Sequence, residues 1–279
     1  MPTPDTRPKD LLLTGVPEGL DALVLGGMAQ EPPQGGGEPL SVLHVARDDR
    51  RLEALEQGLK VFAPGVTVIA LPAWDCVPYD RVSPNSEIVA RRVSALARLA
   101  VGRKPGPLVV LTTVNAVLQR VPPRAFMKAS IKNLAPGMRL DMQDLIYRLE
   151  HAGFRRTSTV MEHGEYAVRG GILDMFPPGR INPVRLDFFG DTLESLKPFD
   201  AASQRTQAAI QRLSLLPISE VAFGPDAIKR FRTRYLELFG AATSDDALYD
   251  AVSAGTRYQG MEHWPVSYTH LTLPTNREV

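Results

Sequence analysis

The sequence predicts an α/β fold built on a parallel sheet of nucleotide-binding type, joined to an α+β region, in a chain of more than one domain. A length of 279 residues exceeds what one compact core usually holds. From residue 20 to about 130, short apolar runs alternate with helical ones, the pattern of a parallel sheet covered on both faces. From 131 the pattern becomes one helix and then closely spaced strand-like runs separated by turn signals, which points to antiparallel pairs.

Residues 1–20 are rich in proline and charge and read as an N-terminal extension. The runs DALVLGG (21–27) and LSVLHVA (40–46) read as short buried strands, and the proline- and glycine-rich stretch between them as a loop. Asp48 and Asp49 precede a helix whose Leu52, Leu55, Leu59 and Phe62 recur at helical spacing until Pro64 and Gly65 stop it. The strand VTVIAL and the loop PAWDCVPYDRVSPN follow. Ser86 is then placed to cap a helix running to Leu99, with Ile88, Val89, Val93, Leu96 and Leu99 as its buried stripe. PLVVLTT is the next strand, and residues 21–130 make up the first part of the α/β domain.

In the region 131–216, Asp141 caps a helix presenting Leu145, Ile146, Leu149 and Ala152. TSTVME, EYAVRG, GILDMFP, VRLDFFG and DTLESLKPF read as strands, with turns at His163-Gly164, Pro177-Pro178-Gly179 and Gly190-Asp191. From 217 to 264 the chain returns to helix, with Ile228, Phe231, Tyr235, Leu238 and Phe239 on one side. The tail 265–279 has no caps and no period, and its VSYTHL resembles a translated sequencing adapter. It is read as foreign sequence and set aside.

Composition narrows the function. Hydrophobic residues at 44% and charged residues at 23% describe a soluble globular chain, with no membrane partner expected. A net charge of +1 gives no global field toward nucleic acid or anionic lipid. One cysteine, Cys76, and the lack of a signal peptide at the N-terminus point to a reducing, cytoplasmic compartment. A phosphate-binding P-loop needs clustered glycines followed by Lys and Ser or Thr, and no run here has that spacing, so nucleotide hydrolysis is not expected. The five histidines form no H-x-x-x-H pair, which argues against zinc. Glu162, His163 and Glu165 offer a weak carboxylate-histidine base, and Asp75, Cys76, Tyr79 and Asp80 a weak enzyme-like cluster after a strand. Between Arg81 and Lys132, ten Lys and Arg residues meet one acidic residue, Glu87. Within that window Arg91, Arg92 and Arg98 are weak candidates for nucleic-acid contact, set against the plainer reading of a solvated helix face.

The strand VRLDFF is the sharpest feature. Alternation puts Val184, Leu186 and Phe188 in the core and Arg185, Asp187 and Phe189 on the opposite face. An arginine, a carboxylate and an aromatic on one surface match the composition of interface hot spots. Arg169, at the end of EYAVRG, adds a second guanidinium if the two strands pair. The plainer reading is an ion pair within the sheet.

The runs LPAWDCVPYDRVSPNSEIVARRVSAL, GFRRTSTVMEHGEYAVRGGILDMFPPG and VRLDFFGDTLESLKPFDAASQRT resemble the N-terminal part of bacterial transcription-repair coupling factors, over about residues 20–264. The likeness to the excision-repair subunit UvrB is more distant. The resemblance implies an α/β domain that has lost its P-loop, an inserted α+β domain at 131–216 that recruits UvrA, and a return segment at 217–264. By motif position the recruiting residues fall on Arg169, Arg185 and Phe189, with Asp187 beside them. ATP and Mg, RNA polymerase and double-stranded DNA belong, on this resemblance, to a translocase motor and other domains outside the chain. The chain itself is then a non-catalytic monomer without a cofactor. A UvrB fragment is the nearer alternative and a stand-alone α/β enzyme the further one.

Overall fold

The computed structural model describes residues 12–32, 41–77, 82–102, 105–221, 223–240 and 246–263. The first region contains α1 (Asp21–Gln30), β1 (Ser41–Ala46), α2 (Asp49–Phe62), β2 (Thr67–Leu71), α3 (Ser86–Val101), β3 (Leu108–Thr113), α4 (Val114–Leu118) and α5 (Arg124–Ser130). The second contains β4 (Lys132–Leu134), α6 (Met142–His151), β5 (Arg155–Arg156), β6 (Glu165–Arg169), β7 (Ile172–Met175), β8 (Val184–Phe189), β9 (Thr192–Pro198) and β10 (Leu213–Leu215). Two helices close the chain, α7 (Pro225–Phe239) and α8 (Ala247–Ser253).

The α/β region holds a parallel sheet in the order β1-β3-β2. Val109 and Leu111 of the central strand pack against Leu52, Leu55 and Leu59 of α2. Leu71 points the other way, onto Val93, Leu96 and Met127 of α3 and α5, so both faces are covered as the alternation of strand and helix predicts.

Two runs depart from their readings, one in each region. DALVLGG is the helix α1, not a strand: Ala22, Leu25, Gly26 and Ala29 are buried at helical spacing. Gly26 serves helix packing together with Gly58 of α2, because a Cβ on Gly26 would lie 2.5 Å from that of Ala63, and one on Gly58 2.7 Å from that of Ala22. Periodicity within seven residues is too short to separate a buried strand from a buried helix. Capping also shifts by one residue, since Asn85 rather than Ser86 accepts the N–H of Glu87 at the start of α3. Phe62 and Phe239, though at helical spacing with buried residues, are exposed.

The chain enters and leaves the α+β region on β4 and β10, which pair antiparallel. Between them lies a five-stranded sheet in the order β5-β6-β7-β8-β9. One face, including Tyr166, Leu173, Met175, Val184, Leu186 and Leu196, packs under Leu145 and Leu149 of α6. TSTVME is not a strand, because its backbone is engaged elsewhere: the N–H groups of Met161 and Glu162 donate to the Glu165 carboxylate, and the Ser158 carbonyl accepts from Arg169. His163-Gly164 is accordingly a turn before β6 rather than a hairpin. The hairpins are Gly170-Gly171 and Gly190-Asp191, each with φ +60° at its first residue.

Candidate protein-interaction face

The face of the five-stranded sheet away from α6, partly covered around Ala167 by Val160 and Phe199, gathers the residues singled out by alternation. Pairing registers Arg169 with Ile172, Ile172 with Asp187, and Asp187 with Ser195, so these four cross the sheet in one row. The next row is Ala167, Asp174, Arg185 and Lys197. The strand of Arg169 does not pair with that of Arg185, as the simplest form of the expectation had it; β7 lies between them. Arg169 and Asp187 are therefore two strand spacings apart, about 10 Å.

Phe189 is 76% exposed at the end of β8. The irregularity at Asp187/Phe188 is absorbed on β9, where Leu193 and Leu196 both turn inward three residues apart. β8 thus keeps its alternation, with Phe188 against the core and Phe189 outside. The β6–β7 turn brings the backbone close beneath this corner: a Cβ on Gly171 would lie 2.8 Å from the Phe188 carbonyl oxygen.

Arg185 is engaged within the sheet. Its Nε and Nη2 donate to the two oxygens of Asp174, each at 2.8 Å, and its guanidinium lies 5.0 Å from the centre of the Phe199 ring. The Asp174 hydrogen bonds raise the Arg185 pKa above its ordinary value, against burial. Its bidentate fork is thus filled within the sheet, and the side chain is a half-buried support of the face. Asp187 accepts from Ser195 Oγ and, at 2.8 Å, from Lys197 Nζ. Burial alone would push its carboxyl up, but these bonds and the Arg185 charge bring it below its usual range. Arg169 is exposed; its Nη2 donates to the Ser158 carbonyl at 2.6 Å and lies 3.4 Å from Thr159 Oγ1. The face therefore presents an exposed aromatic, an exposed guanidinium, the half-exposed Ile172 and a supported charge network. Ile172, Asp174 and Lys197 were missed, although alternation in GILDM already places Ile172 and Asp174 together.

The weaker candidates resolve differently. Arg92 does not face solvent, which corrects its reading as a nucleic-acid contact: it is fully buried and clamps Glu220 through Nε at 2.5 Å and Nη2 at 3.0 Å. Its Nη1 donates to the Pro72 carbonyl and to Gln119, and its guanidinium sits 5.2 Å from the Trp74 ring centre. Helical periodicity turns Arg92 inward with Ala95, Leu96 and Ala97. Arg91 pairs with Glu53 and Glu56 of α2, and Arg98 donates to the Val68 carbonyl. Glu165 is spent on Arg155 and two backbone N–H groups, and His163 Nε2 lies 3.0 Å from the Arg180 carbonyl. Asp75 accepts the Asn85 N–H, while Tyr79, Asp80, Arg81, Arg103, Lys104 and the tail 265–279 lie outside the described residues. Among the described residues no group of His, Cys, Asp and Glu could hold a metal ion, and no helix is long and apolar enough to cross a membrane.

Residues 133–221, which include this entire face, match the family model of the UvrB interaction domain. The chain is similar to the transcription-repair-coupling factors of Haemophilus influenzae (35% identity, 93% of this chain, 22% of that protein) and Escherichia coli (38%, 84% and 20%). That of Myxococcus xanthus is 39% identical over 63% of this chain and 15% of its own length. The chain thus spans about a fifth of the length of the curated relatives it matches.

Proposed function

We propose that this chain, which carries a UvrB interaction domain and is homologous over most of its length to transcription-repair-coupling factors, is a docking adaptor of DNA repair whose inserted sheet recruits UvrA. The observation that carries the reading is the exposed Phe189 on the same open face as Arg169 and Asp187, inside the matched domain. Phe189 supplies an apolar anchor, Arg169 a planar donor for a carboxylate, and the Arg185–Asp174 pair fixes the strands between them. Its chemistry is binding. ATP turnover, displacement of RNA polymerase and duplex DNA translocation belong, in this reading, to other parts of the relatives.

Calorimetric titration of UvrA into the chain tests the assignment. Arg169→Ala and Phe189→Ala are each expected to weaken binding about tenfold or more, the cost of truncating a hot spot, while the thermal midpoint stays put. A folded parent that does not bind UvrA, or variants that bind as the parent does, would remove this face from the proposal.

A further inference from the structure

A second site lies away from the open sheet face. A cleft of about 530 Å³ runs between α5, β4, the C-terminal half of α6 and the segment leading into α7. Lys132, Arg148, Arg230 and Arg257 line it, against the single carboxylate of Asp226. None of the four cations has a side-chain hydrogen bond or ion pair among the described residues.

Arg257 is held by shape instead. Its guanidinium lies 5.1 Å from the Phe223 ring centre and against Gly153, whose absent Cβ would fall 2.8 Å from Arg257 Cζ. Burial lowers the Arg257 pKa, with Glu262 the one opposing charge. Burial, then the charge of Arg148, lowers that of Lys132, with Asp144 opposing. Holding the partly desolvated Lys132 and Arg257 beside the exposed Arg148 and Arg230 is unfavourable unless an anion joins them. The N-terminus of α7 opens on the same cleft, with Gly224 and Pro225 in its wall and no side chain capping the first turn. Phe126, Tyr147 and Phe223 add aromatic wall, and the volume is that of a small-molecule site.

We propose that this cleft binds a nucleotide unit, its phosphate among Lys132, Arg148, Arg230 and Arg257 and its base along the aromatic wall. The unit is either a free nucleotide or part of a single nucleic-acid strand, which share this chemistry.

Two probes separate the sources when titrated into the full chain at low salt: ATP, and a labelled oligodeoxythymidine about 10 nucleotides long, within the usual span of a single-strand site. A free-nucleotide site takes ATP at least as tightly as the oligonucleotide. A strand site prefers the oligonucleotide and loses it steeply as salt rises. In either case Arg148→Glu/Arg230→Glu, at two exposed positions that leave the fold intact by circular dichroism, weakens binding about tenfold or more and leaves UvrA affinity unchanged. The proposal is overturned if neither probe binds the parent, if the double variant binds as the parent does, or if polyglutamate displaces the probe as readily as unlabelled nucleotide, which would mark a carboxylate site.

Discussion

Arg169 and Arg185 look equivalent in the sequence and differ in the fold. Arg185→Ala strands the buried Asp174 carboxylate without its bidentate partner, so a loss of about 2–3 kcal/mol is expected by urea denaturation. Arg169→Ala removes one exposed contact to a carbonyl and should stay within about 0.5 kcal/mol of the parent. An equal loss for both would contradict the geometry. Alternation in VRLDFF made the face legible because it depends only on neighbours in sequence. The partner of Arg185 was not legible, because Asp174 comes opposite it only through the β7–β8 register. Glu165 gives a pH test. Burial acts to raise its pKa, but the N–H groups of Met161 and Glu162 and the Arg155 guanidinium overcome that and hold the carboxyl below its ordinary value. The folded state therefore binds that proton more weakly than the unfolded chain. The stabilisation is complete above the unfolded value of about 4.3 and is lost as pH falls below it toward the lowered one. Glu165→Gln should be less stable at pH 7 yet lose less stability on acidification. Urea midpoints across the acid range decide this, and an unchanged acid slope would count against it.

At the scale of elements, hydrophobic period and turn chemistry sufficed wherever an element was long or its turns unambiguous. The helices α2, α3, α6 and α7 and the strands β6 to β9 all follow from the sequence. Of the two misread runs, TSTVME has its backbone tied to the side chains of Glu165 and Arg169, and α1 is an element whose meaning lies in what it touches. Two glycines at Gly26 and Gly58 let α1 and α2 approach until only hydrogen atoms fit between them and the facing alanines. Helix propensity alone favours Gly26→Ala by about 1 kcal/mol. The new methyl would meet Ala63 at 2.5 Å, and Ala63 has no flexible end to swing aside. Overpacking of that kind costs about 1–3 kcal/mol, so packing should outweigh propensity and the variant should melt below the parent. Gly27→Ala in the same helix is the control, because a Cβ there meets nothing within 4 Å, and it should melt at or above the parent. If Gly26→Ala also stabilised, the close approach of the two helices would be wrong.

For the whole molecule, the question is what fixes the α/β region to the chain where it returns from the five-stranded sheet. Arg92 of α3 and Glu220, five residues past β10, form a buried bidentate pair across 128 residues of sequence, with the Trp74 indole N–H donating to the same carboxylate at 3.1 Å. No sequence period could reveal this, because the two residues meet only once the chain has gone out through β4 and returned through β10. Ser83 ties the α/β region to the C-terminal segment as well, accepting the Gly260 N–H and donating to Glu262. Desolvation offsets most of what a buried ion pair gains in attraction, so the pair specifies how the regions seat more than it stabilises them. Removing one partner is different. Glu220→Ala leaves a fully buried guanidinium uncompensated and should cost about 3–5 kcal/mol, whereas Arg92→Met/Glu220→Leu should recover much of that loss. Denaturant unfolding followed separately at Trp74, beside the pair, and through the far-ultraviolet signal should give coincident transitions in the parent and separated ones in Glu220→Ala. Coincident transitions in that variant would show that the regions are held together by other contacts. UvrA affinity of the folded variant should match the parent, because the pair lies outside the face of Arg169 and Phe189 and acts only on how that face is carried.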